Sequence, residues 1–595
     1  MIDYYAHVAV LEQLRAQVPV AGGGAGPAEL AQLQEFADAA AAEEGAALVG
    51  LFTDHVLTHA SADGTEADLL ERAGDLWKTG KDLYEGIGEV RQVVEKALQT
   101  PDEPDAADSF NQAMARMVVL LRKAKKLSAG VRQLRKDLRP LKHLPPHPRQ
   151  AGLPLSDWGY GDVFLARRQD AFTRTVFSRA GGDTTARALA FGVLASYAGN
   201  VTGSAYLAQG VGGPRRSHRF RNRLARNAVG GWCAGQYTVA KPRELTDKLR
   251  PLVAASDDAT PSAVAQVLAQ ALSETYDPAL TPPLPDIDLG LRRTLRQLEL
   301  YDVIRRPPLP RPVVASIAVR VHTTAGGGLP ETYDDQGFEY PHSDQGAAPG
   351  TVDEVSGADT TGQAGDNGGG CPWWAYTIIG TVVFLMCLGI SCIVGLVASG
   401  SCKEGVSDFF DGLSGDDEPE QPTSVTGDAL IAVAASPAGP QIAQRLFEVH
   451  TGLWQAADEA FNYLALVGLV PPDDLLLTSP LHRQFLSLPV RELHPLREEP
   501  AAEKTYAFDP VTAHENPPTR PSPYPPGADP SVFVEGAAPE QALNLLLQIL
   551  RGEQRSENLD ADADRGYRHR CWTTDPYGSV HDDPVPVQVL AYHET

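Results

Sequence analysis

The run WWAYTIIGTVVFLMCLGISCIVGLVAS at residues 373–399 constrains this chain more than any other feature, because its 27 residues include no charge. At about 1.5 Å of rise per residue, a helix of that length outreaches a hydrocarbon layer of roughly 30 Å. A core helix of a water-soluble domain is the alternative reading, but such a domain seldom needs so long an uncharged run. Acidic, polar segments also flank this one on both sides. The expectation is one transmembrane helix. Trp373, Trp374 and Tyr376 sit where an aromatic belt meets the interface, Phe384 and Gly389 fall inside the run, and Lys403 follows its far end. Ser391 and Gly395 make one small-x-x-x-small step, the spacing at which membrane helices pair closely.

Charge divides the chain into unlike halves. The 595 residues carry a net charge of -25, yet residues 1–330 hold 39 Lys and Arg against 36 Asp and Glu, while residues 331–595 hold 12 against 40. The acidic half repels nucleic acid and anionic headgroups, so neither is an expected partner there. The opening MIDYYAHVAVLEQLRAQ has no charged start followed by a continuous apolar stretch and a small-residue cleavage site, so it does not read as an export signal. The orientation expected from the Lys/Arg bias is N-terminus cytoplasmic and C-terminus extracytoplasmic, in a bacterial cytoplasmic membrane, with a soluble state before insertion allowed. Cysteines at 233, 371, 387, 392, 402 and 571 form no paired C-x-x-C clusters and suggest neither a zinc finger nor a disulfide framework.

The rest reads as mainly α: two helical N-terminal units, the transmembrane helix and a small, mostly helical C-terminal domain, joined by disordered linkers. Residues 1–140 form the first helical domain. Leu69, Leu70, Ala73, Leu76, Trp77, Leu83, Ile87, Val90, Val94 and Leu98 recur mostly at spacings of three, four or seven, the stripe an amphipathic helix buries. A second helix over 110–138 turns basic in its later half, either a solvated face or a contact with a membrane surface or an acidic partner. Pro140, Pro145, Pro146 and Pro148 mark a boundary. A second helical unit spans 150–322. Residues 323–370 are poor in apolar side chains and have no Lys or Arg beyond 331, so they read as a flexible acidic linker. After the hydrophobic span, 403–425 is another acidic linker and 426–595 is the C-terminal acidic domain, with helices near 428–469 and 540–551.

Residues 186–233, ARALAFGVLASYAGNVTGSAYLAQGVGGPRRSHRFRNRLARNAVGGWC, are the most distinctive segment. Through Leu194, Tyr197, Gly203, Gly212, Gly213, Pro214, His218, Arg221, Asn227 and Trp232 it resembles the helical core of the zinc-dependent phospholipase C-like family. The resemblance implies a helix presenting metal ligands one turn apart. Those positions here are Ser196, Asn200 and Ser204, and a neutral hydroxyl or amide supplies neither the imidazole nitrogen nor the carboxylate that holds zinc. Without the ion no water is brought to a pKa near neutrality. The expectation is a phospholipase-like scaffold without metal ligands, cofactor or catalytic residues: a pseudoenzyme. Arg215, Arg216, Arg219, Arg221, Arg223 and Arg226 form a cluster suited to an anionic partner, or else to pairing with carboxylates of the same chain. No aromatic stacking pattern accompanies the cluster, which disfavours single-stranded nucleic acid. Asp560, Asp562 and Asp564 alternate as in a calcium loop, but no Glu closes the loop at its twelfth position, and a solvated acidic turn is expected.

In layout the chain resembles the membrane-associated protein of actinobacterial contractile injection systems, a phage-tail-like apparatus. That resemblance implies an interaction protein linking the particle to the cytoplasmic membrane and promoting cell death, with membrane lipids and a large protein assembly as partners. A membrane-anchored phospholipase or phosphodiesterase is the enzymatic alternative. A membrane sensor with an acidic outer domain is the third reading.

Overall fold

The computed structural model describes residues 1–18, 25–62, 65–142, 154–211, 215, 219–237, 239–254, 262–313, 424–466, 468–473, 538–553 and 561–562. Within them the protein is mainly helical and has no strand. No helix among the described residues is long and apolar enough to cross a membrane. The run at 373–399, with Trp373, Trp374, Tyr376, Phe384, Gly389 and Lys403, lies outside them, as do the acidic linker at 323–370 and residues 403–423 of the second one.

The helices are α1 (Tyr4–Gln17), α2 (Pro27–Ala42), α3 (Glu44–Leu51), α4 (Thr53–Ser61), α5 (Thr65–Gln99), α6 (Ala106–Lys142), α7 (Tyr160–Ala166), α8 (Gln169–Ala180) and α9 (Thr184–Val211). They continue with α10 (Arg219–Gln236), α11 (Pro242–Ala254), α12 (Ala263–Thr275), α13 (Ile287–Val303), α14 (Gly427–Ala435), α15 (Ala438–Leu466) and α16 (Ala538–Leu550). Local chemistry sets several starts. Asp286 and Ser262 accept backbone N–H bonds from Leu289 (2.9 Å) and Ala265 (3.3 Å). Pro27 opens α2, where the Glu29 carboxylate accepts from Gly26 N at 2.7 Å.

Two compact units emerge, each drawn from separated stretches of sequence. Unit 1 comprises 1–78, 130–306 and 458–595; unit 2 comprises 79–129 and 307–457. Segments on both sides of the proline-rich break at 140–148 therefore share one unit.

Unit 1 is organised on α9. From Ala188 to Val201 nearly every side chain of this helix is buried, the pattern of a helix covered on all sides rather than along one stripe. Helices α2, α3, α8 and α16 pack around it. The α3–α9 crossing is close because both helices have glycine there: a Cβ at Gly50 would meet the Leu189 carbonyl, and one at Gly192 the Ala47 carbonyl. Helix α13 lies against α4, and α10 against α1. The last described segment is tied in by Ala561 N donating to Leu165 O at 2.9 Å.

Unit 2 is a smaller apolar core. Leu83, Ile87, Val90 and Val94 of α5, Phe110, Met114 and Met117 of α6, and Ile442, Leu446 and Val449 of α15 meet in one cluster. Most of the stripe predicted over α5 is the buried face: Leu69, Leu70, Leu83, Ile87, Val90, Val94 and Leu98 are buried, Leu69 and Leu70 within unit 1, while Ala73, Leu76 and Trp77 are half-buried. On α6 the basic Arg122, Lys123 and Lys126 are exposed. A proline-rich strap at 307–312 is held by donors to its backbone carbonyls. Trp454 Nε1 reaches Pro307 O at 3.0 Å, the Tyr84 hydroxyl bonds Pro308 O, and Arg91 Nη2 reaches Pro312 O at 3.0 Å. Proline-rich backbone has no ladder or helix partner of its own, so its carbonyls are open to such donors.

Candidate functional site

Most residues that fill unit 1 are apolar, so a group of fully buried polar side chains between α1, α4 and α9 stands out. His7 and Asp54 are 0% exposed, His55 2% and Asn200 0%. Burying such groups costs several kcal/mol unless each finds partners. Here a closed circuit of hydrogen bonds supplies most of them. Asp54 Oδ2 accepts from Asn200 Nδ2 at 2.9 Å, and Asn200 Oδ1 accepts from Ile2 N at 3.1 Å. The Ile2 carbonyl lies 3.0 Å from His55 Nε2, and His55 N donates to Asp54 Oδ1 at 2.8 Å. His7 Nε2 closes on Asp54 Oδ2 at 3.2 Å.

The circuit fixes protons. A carbonyl can only accept, so His55 carries its hydrogen on Nε2 and, when neutral, its lone pair on Nδ1. Burial, the largest influence, holds His55 well below the ordinary histidine value, which keeps it neutral. Burial pushes the Asp54 carboxyl upward, but the adjoining His7 and then His55 outweigh it, and the group stays below the usual carboxylate range. Asp54 is thus an ionised acceptor. His7 presents Nε2–H to that carboxylate, while its Nδ1 is buried with no hydrogen-bond partner among the described residues.

Aromatic rings wall the centre. Tyr4 stacks on His55 with centroids 4.0 Å apart, and Phe52 meets both Tyr4 and His55 edge-on. The Tyr4 hydroxyl donates to Gln297 Oε1 at 2.9 Å, fastening this ring to α13. Gly199 admits the opposite face: a Cβ there would stand 3.4 Å from His7 Nδ1. Beside the centre Asp3 caps α1, and burial raises its carboxyl to about 6.

A second polar knot lies at Arg215, 7% exposed. Its guanidinium pairs with the buried Asp162, and its backbone N donates to Asp562 Oδ1 at 3.2 Å. Asp562 is only 1% exposed, so the solvated acidic turn expected there is corrected: the Arg215 charge draws this carboxylate inward.

Compared with known protein families, with curated proteins and with solved structures, the chain matches none. Its chemistry is therefore read from its own residues. Of the positions singled out in the sequence, Asn200 is part of the buried centre. Ser196, one turn earlier on the same face of α9, is 2% exposed with its hydroxyl unpartnered among the described residues. The side chain of Ser204 lies outside the described residues, as do those of Arg216, Arg219 and Arg221. Arg215 is turned inward, and Arg226 Nη1 lies 3.6 Å from Met1 Sδ. Arg223 lies beside Gly468, where a Cβ would stand 2.8 Å from its Cγ.

Sequence reading missed His7, Asp54 and His55, the residues that carry the centre. A signal was present: Asp-His inside LVGLFTDHVLTHA, and a histidine inside YAHVAVL, are ionisable groups in helices otherwise apolar over two turns.

Proposed function

We propose that this protein is a membrane-attached interaction protein, its helical units engaging a large protein assembly and its uncharged run at 373–399 tying it to the bilayer. That run carries the reading, since 27 residues without a charge transfer favourably from water to hydrocarbon. Helical units built from residues on both sides of it give the protein surfaces to present to a partner. The Lys/Arg bias favours the cytoplasm for the first 330 residues, and the described residues beyond the run pack into the same two units, so they lie on that side as well and the expected extracytoplasmic C-terminus is withdrawn. By layout the assembly is a contractile injection particle, which the protein links to the cytoplasmic membrane in promoting cell death.

The buried centre supports a role that is not hydrolytic. Its donors lie behind Tyr4 and Phe52 and are at most 2% exposed, whereas a hydrolase must bring a phosphodiester and a water to its ligands. Fractionation tests the anchoring: the full chain is expected to sediment with membranes and resist alkaline extraction, and deleting 373–399 to release it. A full chain that stays in the supernatant with membranes present overturns the reading. Affinity capture from native cells is expected to recover components of the particle, and capture without them removes the assembly role. Phospholipid hydrolysis by the purified chain would replace it with an enzymatic one.

A further inference from the structure

The geometry points to a new site: we propose that His7, Asp54 and His55 bind one divalent metal ion of the zinc class, which clamps α1 to α4 inside unit 1. One ring nitrogen from each histidine and one carboxylate oxygen lie within 4.8 Å of one another, and all three residues are buried. Among the described residues no other group of histidine, cysteine and acidic side chains meets that condition.

Three independent features favour an ion over a hydrogen-bond network alone. The first is the donor set: two imidazoles and a carboxylate suit zinc and its neighbours, and not magnesium or calcium, which prefer oxygen. The second is spacing. Ligand atoms in a tetrahedral shell with bonds near 2.1 Å lie about 3.4 Å apart. His7 Nε2 and Asp54 Oδ2 stand 3.2 Å apart, close to that spacing, and with all three ligand atoms within 4.8 Å of one another the shell closes by a side-chain adjustment of about an ångström. The third is the surrounding bonds. Metal-bound histidines almost always donate their other ring N–H to a carbonyl or carboxylate, and His55 Nε2–H already donates to Ile2 O. Asn200 likewise anchors the Asp54 carboxylate from α9. The Ser196 hydroxyl, buried without a partner among the described residues, is available on the same face as a further oxygen.

The ion would be structural. Catalytic zinc keeps an open position for water and substrate, whereas these donors are enclosed by Tyr4, Phe52 and α9. This inference is independent of membrane attachment.

The test uses the full chain purified in detergent without chelator. Elemental analysis is expected to find about one zinc-class ion per chain. After chelation, Co(II) should give the visible absorption of a tetrahedral nitrogen–oxygen site, saturating at one equivalent, and Zn(II) should abolish it and raise the melting temperature. His55→Ala and His7→Ala should lose the ion, and Asn200→Ala should bind it about 10- to 100-fold more weakly. Because the alanine variants risk misfolding, the wild type decides. If it carries no metal, gives no cobalt spectrum and keeps its melting temperature with either ion, the site does not exist. Full retention of the ion by a folded His7→Ala/His55→Ala double variant would place it elsewhere and also overturn the proposal.

Discussion

In unit 1 the buried carboxylate of Asp54 has three neighbours donating to it, the Asn200 amide, the His55 backbone and His7. In unit 2 the imidazole of His450, also buried, has neither ring nitrogen hydrogen-bonded among the described residues. Apolar side chains make up most of both cores. The larger one encloses a cooperative polar circuit spanning three helices, while the smaller one holds a polar ring by packing alone, against Tyr84 at 4.3 Å between centroids. A satisfied network specifies which helices meet and costs little until one member is removed. An unpartnered ring costs free energy all the time, and more as pH falls. The two units should therefore respond differently to substitution and to acid.

The largest expected effect is from Asp54→Ala. It strips the carboxylate from Asn200 Nδ2, His7 Nε2 and His55 N together, and removing one member of such a buried charged network costs about 3–5 kcal/mol. Hydrogen exchange read by segment is the appropriate measurement: amides of α1 and α4 should lose protection while those of α15 within unit 2 keep theirs. Equal loss in both units would mean that the circuit is not what distinguishes them.

Next in size is Gly192→Ala. The new methyl group meets the Ala47 carbonyl and the backbone of Leu51, so α3 and α9 must separate along their whole crossing. Overpacking of this kind costs roughly 1–3 kcal/mol, and more where the obstacle is backbone. The denaturant midpoint of unit 1 should fall. Gly182→Ala, where nothing lies within 4 Å, should leave it unchanged. A Gly192→Ala midpoint equal to the wild type would show that the crossing tolerates a wider spacing.

These two positions also show what could be read from sequence. The helices were legible because their burial is periodic: Leu83, Ile87, Val90 and Val94 announce the inner face of α5. On α9, the phospholipase C-like resemblance singled out Asn200 as a replaced metal-ligand position. What sits opposite Asn200 was not legible. Asp54 and His55 come from a segment 146 and 145 residues away, and His7 from still farther, so no spacing rule connects them. Pairing at such separations is decided by tertiary packing, and so is the interleaving of the two units. Asp562 makes the same point, since a carboxylate expected in solvent becomes a buried partner once Arg215 arrives from 347 residues away.

The smallest of the three effects is a pH dependence confined to unit 2. Burial, and secondarily the Arg91 charge, lowers His450 from 6.5 to about 4. In the unfolded chain the imidazole takes up its proton near pH 6.5, while in the folded unit it resists doing so until about pH 4. The unfolded state therefore binds more protons across that interval, and unit 2 loses stability as pH falls from 6.5 toward 4, by roughly 2 kcal/mol after allowance for partial solvent screening. Above pH 6.5 the contribution is flat. Gly88 belongs to the same arrangement, because a Cβ there would stand 3.0 Å from the ring. Replacing His450 with leucine should abolish this part of the slope and, by removing two unpaired buried nitrogens, raise stability at neutral pH by about 1 kcal/mol. Measured as segment-resolved exchange of α15 at pH 7 and pH 5, the wild type should lose protection at the lower pH and His450→Leu should not. If both lose it equally, the acid sensitivity of unit 2 arises from its carboxylates, and the contrast between a satisfied and an unsatisfied buried group does not explain how the two cores differ.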